Sequence, residues 1–62
     1  PKEFIKALNQ NKKAKEFFEQ LTPNYQKQFI GWIRVAKRQA TIDERISESV
    51  QLLENGEKLG LR

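Results

Sequence analysis

From Phe4 to Leu53 the large apolar side chains recur at intervals of three and four residues, and no stretch alternates with the period of two that a strand requires. That spacing confines the chain to helices, and four segments carry it. Phe4, Ile5 and Leu8 make a short cluster that ends at the polar Asn9-Gln10-Asn11. Ala14, Phe17, Phe18 and Leu21 share one face of a second helix, with Asn11 suited to cap its start. Thr22-Pro23 opens the third, a hydroxyl cap followed by a proline at the first helical position, where its missing N–H costs nothing. On a wheel of 100° per residue, Tyr25, Phe29, Trp32, Ile33, Ala36 and Ala40 then fall in one arc, which predicts a long core helix. Thr41 with Glu44 three residues on has the capping-box pattern for a fourth helix lined by Ile42, Ile46, Val50 and Leu53. Asn55-Gly56 supplies its stop.

The expected fold is all-α, a small compact array of about four helices, two short and then two longer. One domain is expected over residues 1–57, with 58–62 a tail or linker. The expected core is Phe4, Leu8, Phe17, Phe18, Leu21, Tyr25, Phe29, Trp32, Ile33, Ala36, Ile42, Ile46, Val50 and Leu53. A chain of 62 residues buries only about 60% of the surface it exposes when unfolded. With no cysteine and no histidine, it has neither disulfides nor the usual zinc ligands to reinforce that core. The chain opens on Pro1 and is helical at once, so a piece of a longer polypeptide is expected, with a preceding domain as one source of support.

The same composition argues against chemistry. The usual general base, thiol nucleophile and metal ligands are missing, there is a single aspartate, and Ser47 and Ser49 have no evident activating neighbour. The expectation is a non-enzymatic domain with no cofactor and no metal. No apolar run approaches the roughly 20 residues of a membrane span, and the first ten residues lack a signal-peptide layout, so the expected location is the cytoplasm.

Charge is where the chain becomes specific. Residues 22–40 contain Lys27, Arg34, Lys37 and Arg38 and no acid, whereas 41–57 hold Asp43, Glu44, Glu48, Glu54 and Glu57 against Arg45 alone. On a continuous third helix Lys27, Gly31, Arg34 and Arg38 form a stripe roughly opposite Trp32 and Phe29, with Lys37 beside it. Gly31 costs about 1 kcal/mol relative to alanine in a helix, and its missing side chain would admit a phosphate backbone or a second helix. Ile30 and Val35 lie outside the core arc and form a candidate apolar edge. Basic helix backs are common, and solubilising charge is the simplest reading of the stripe. The binding alternatives are a protein partner or nucleic acid. A helix-turn-helix is disfavoured by the acidic helix that follows, which repels phosphates. Arg45 sits at the edge of the last apolar arc, where its stem can cross the core while its guanidinium reaches a carboxylate or a helix end.

One family fits these residues. Ala7, Leu8, Asn11, Ala14, Phe18 and Leu21, then Trp32, Ile33, Ala36, Lys37 and Arg38, and finally Thr41, Arg45 and Ile46 stand at the intervals of a "W-I-x-x-A-K-R" helix and its flanking segments. In this, nearly the whole chain resembles the C-terminal helical domain of the YdeI/OmpD-associated, or bacteriocin-protection, proteins. Similar domains often carry Glu-Thr before the last helix, where this chain has Ala40-Thr41. The resemblance implies a bacterial context of bacteriocin or cationic-peptide tolerance and envelope stress, and it brings no reaction and no catalytic residue.

Overall fold

The computed structural model describes residues 2–59. They form α1 (Lys2–Asn9), α2 (Lys12–Gln20), α3 (Pro23–Arg34) and α4 (Gln39–Glu54), with no strand among the described residues. Three helix ends follow the local chemistry. Asn11 caps α2 by accepting from the Ala14 N–H at 3.2 Å, and Thr22 Oγ1 stands 3.5 Å from the Tyr25 N–H with Pro23 behind it. At the end of α4, Gly56 takes φ 72°, the left-handed conformation that closes a helix and that a side chain resists.

The break between α3 and α4 departs from expectation. α3 stops at Arg34, residues 35–38 leave the helix, and α4 begins at Gln39 with Arg38 as its N-cap. Thr41 therefore lies inside α4, and the expected Thr41–Glu44 capping box is not the start of that helix. No glycine or proline imposes this break. Its cause is packing: continued without interruption, 23–54 would be a rod of about 48 Å. Ile46 and Leu53 would then point about 100–120° away from Phe29, and the two apolar faces could not meet. The break folds them together within a body of 28 × 27 × 17 Å. The radius of gyration, 10.6 Å, is that of a fully collapsed chain of this length.

α4 is the element against which each of the other three helices packs, most extensively α2, and α1 also packs on α2. The fully buried core is Phe4, Leu8, Ala14, Phe18, Leu21, Phe29, Ile33, Ile46 and Leu53. Phe17, Tyr25, Ile42 and Val50, expected inside, are half-buried and pack on its margin, and Ala36 is half-buried in the break. Leu59 also packs on the core, and the Lys58 ammonium stands 4.3 Å from the Tyr25 ring centroid. These two belong to the expected tail 58–62, whose last three residues lie outside the described ones.

Aromatic geometry joins the first three helices. The Phe18 ring meets Phe4 edge to face, centroids 5.4 Å apart at 88°, and Phe29 at 6.3 Å and 68°. Polar side chains tie the helix ends together. Gln26 Nε2 donates to the Phe18 and Leu21 carbonyls at 2.9 and 3.3 Å, satisfying the end of α2. Asn11 Nδ2 donates to Glu54 Oε1 at 2.8 Å. Gln39 Nε2 bridges Glu3 and Asp43, at 2.8 and 2.9 Å, fastening the start of α4 to α1.

Among the described residues Ser49 is the buried polar one, on α4 between Ile46 and Leu53, and its hydroxyl, like the Oε1 of the half-buried Gln28, has no hydrogen-bond partner. An unpaired buried hydroxyl costs about 1–3 kcal/mol, and alanine is the better helix former. Ser49→Ala is expected to stabilise the fold by about 1 kcal/mol. The urea midpoint followed by circular dichroism measures it, and a lowered midpoint contradicts it. Phe18→Ala removes the ring shared by Phe4 and Phe29 and is expected to cost about 3–5 kcal/mol, a large part of what a domain this small possesses. Loss of the cooperative thermal transition is the expected readout.

Candidate interaction surface

The basic surface is built in two parts. On α3, Lys27, Gly31 and Arg34 fall within about 60° of one another, diametrically opposite Phe29 and Ile33, and Lys27 and Arg34 are about 10 Å apart along the axis. Arg38 does not continue this ridge, contrary to the expected four-residue stripe, because α3 ends before it. Lys37 and Arg38 lie in the break, both exposed, and with Arg34 they surround Val35, whose side chain is 68% exposed. Gly31 has open space above it: an added Cβ would meet nothing within 4 Å, so no element of this fold uses the gap.

The apolar edge is narrower than expected. Val35 stands out, but Ile30 is half-buried and packs against the core, since it lies on the shoulder of α3 rather than its back. What the structure brings together is Arg34, Val35, Lys37 and Arg38 at one turn, with Lys27 farther along the ridge.

Electrostatics at this turn favour the end of α3, where Arg34 is a cation in the last turn, and work against the start of α4. Arg38 occupies the N-cap of α4 with extended backbone, φ −91° and ψ 140°, and makes no side-chain capping bond. The first turn of α4 contains no acid. A helix start carries partial positive charge and free N–H groups, which favour Asp, Asn, Ser or a nearby carboxylate. The chain places a cation at the N-cap and an exposed alanine, Ala40, in the first turn, and the carboxylates of Glu3 and Asp43 are reached there only through the Gln39 amide.

Trp32 is a correction. It is half-buried and outside the core cluster, though its apolar arc predicts the centre. Phe29 and Ile33 take the inward direction of α3, and Trp32 sits on the shoulder, where Arg45 of α4 covers it. The guanidinium carbon lies 5.1 Å from the ring centroid, and Nη1 donates to the Trp32 carbonyl at 2.7 Å. That carbonyl is free because the Ala36 N–H, its ordinary helical partner, turns to Ile33 at 3.3 Å. Arg45 therefore closes the end of α3, adds a cation where the helix dipole is negative, and shields one face of the indole. The reach to a helix end anticipated for Arg45 is realised here.

Sequence reasoning overlooked the outward face of α1. Ile5 was grouped with Phe4 and Leu8 as one cluster, yet it is 49% exposed. Its signal was available, because Lys2, Ile5, Lys6 and Asn9 share a helical face of their own. Among the described residues no group of acids could hold a metal ion, and no helix is long and apolar enough to cross a membrane.

The family described as Bacteriocin-protection, YdeI or OmpD-Associated matches residues 1–56. No curated protein and no solved structure matches the chain.

Arg45→Ala is expected to destabilise the domain by about 1.5–3 kcal/mol, the range for a hydrogen bond to a charged group. It should also shift the emission of the sole tryptophan as the indole loses its cover. Arg45→Lys retains the charge without the planar fork and should recover part of the loss. Denaturation followed by tryptophan fluorescence reads both effects, and an unchanged midpoint in Arg45→Ala contradicts the latch.

Proposed function

As this chain belongs to the bacteriocin-protection, YdeI or OmpD-associated family, we propose that it serves bacterial stress tolerance as a helical interaction domain without chemistry of its own. In this reading the α3–α4 turn, through Arg34, Val35, Lys37 and Arg38, engages an acidic surface of a protein partner or of a neighbouring domain. The observation that carries it is the N-cap of α4. A cation without a capping bond sits at the positive end of a 16-residue helix, beside a valine that is 68% exposed. Neither choice helps α4 to begin, and both suit a partner that supplies carboxylates and an apolar contact. The composition supports a non-catalytic role, since histidine and cysteine are absent from the sequence.

Nucleic acid is the second reading, favoured by Lys27, Gly31 and Arg34, where the open space above the glycine would admit a phosphate backbone. It requires binding that weakens steeply as salt rises. Titration of duplex and single-stranded DNA at low and moderate salt separates the two, and failure to bind at low salt removes the nucleic-acid reading.

Arg38→Asn is expected to raise the stability of the domain by about 1 kcal/mol while weakening partner capture. Arg34→Glu combined with Lys37→Glu, and Val35→Asp alone, are expected to weaken capture without unfolding the chain, since all three side chains are exposed. Pulldown with each variant, beside a thermal melt, makes the comparison. Undiminished capture by every variant would exclude the turn as the binding surface.

A further inference from the structure

On the side of the molecule formed by α1 and α2 a cleft of about 390 Å³ opens above the core. Its floor is Leu8 and Phe18, each less than one-tenth exposed, and Ile5 forms its rim at 49% exposure. Asn9 and Gln26 also line it, and the Gln26 amide N–H is already committed to the Phe18 and Leu21 carbonyls. A second depression adjoins it along α1, sharing Ile5 and Asn9 and adding Lys2 and Lys6. The two together run along one face of α1, the i, i+3, i+4, i+7 set from Lys2 to Asn9, and these four side chains are exposed, with no helix among the described residues covering them.

The charges around this groove are uneven. Lys2, Lys6 and Lys15 border it against Glu19 alone, whereas Glu3 of the same helix is turned to Gln39 at the start of α4. An exposed isoleucine above the nearly closed Leu8 and Phe18, with a surplus of lysines around it, makes a receptor of stated chemistry. We propose that the α1–α2 groove docks an acidic amphipathic segment of a partner protein, which lays one large apolar side chain against Ile5 above Leu8 and Phe18 and presents its carboxylates to Lys6 and Lys15. The charge complement argues for a protein segment with acids, and the recessed floor argues for a protruding side chain in preference to a flat lipid surface. This groove is formed by other residues than the α3–α4 turn, and its test is independent of the function proposed for that turn.

The experiment is selection from a random 15-residue peptide display library on the whole chain, followed by titration of the enriched peptides into the isotope-labelled protein. The expected result is a consensus with Leu, Ile or Phe next to Asp or Glu, and amide shift changes that concentrate at Ile5, Asn9, Lys15 and Phe18. Ile5→Glu, and Lys6→Glu with Lys15→Glu, should each weaken such a peptide by about tenfold or more, while Gln51→Ala on the exposed side of α4 leaves it unchanged. Each variant changes an exposed side chain, and an unaltered circular dichroism melt establishes that it folds. Failure of any peptide to enrich, enrichment of basic peptides, or shift changes mapping to the α3–α4 turn would overturn the proposal. A parallel arm uses vesicles of phosphatidylglycerol and phosphatidylcholine. Binding to them that is lost in Ile5→Glu would overturn it in favour of a membrane surface.

Discussion

The ring of Phe18 is the point through which three helices are fixed to one another. It takes the edge or face of Phe4 from α1 and of Phe29 from α3, and α2, which carries it, lies along α4. A chain with few large side chains and no covalent or metal reinforcement must place those it has at shared contacts, where a single ring completes several interfaces at once. Ala14 and Ser49 are the counterpart, small residues fully buried on α2 and α4, the pair of helices with the most extensive contact. The unpaired Ser49 hydroxyl is a local weakness of that arrangement.

Where helix ends are made by neighbouring residues, they could be read directly. Asn11, Thr22-Pro23 and Asn55-Gly56 stand at their expected posts because capping is a matter of a few adjacent atoms. The break at 35–38 could not be read in that way. Residues 33–41 contain no helix breaker, and Thr41-Glu44 imitates a start that packing moves three residues earlier. The same limit explains Trp32. A helical wheel shows which residues share an arc, but the breadth of the arc that a neighbour covers depends on where that neighbour crosses. Phe29 and Ile33 fill the covered part, and the indole is left for Arg45 to roof.

The candidate binding residues were legible as charges and illegible as an arrangement. Lys27, Arg34, Lys37 and Arg38 are plain in the sequence, but their grouping depends on the end of α3, which divides a supposed stripe into a ridge and a turn. Division sharpened the chemistry. On a continuous helix Arg38 would be one more solvated cation, whereas at the N-cap of α4 it opposes the helix it begins. Val35 gained significance for the same reason, since as the first residue beyond α3 it stands 68% exposed.

α4, the helix on which the other three rest, is also the last of the four to leave the ribosome. Until Leu53 has emerged, the first three helices have the contacts of Phe18 with Phe4 and Phe29 and the Gln26 amide, and all three lack the surface of α4 on which they pack. Synthesis therefore leaves the core unfinished until the residues of α4 are available to complete it.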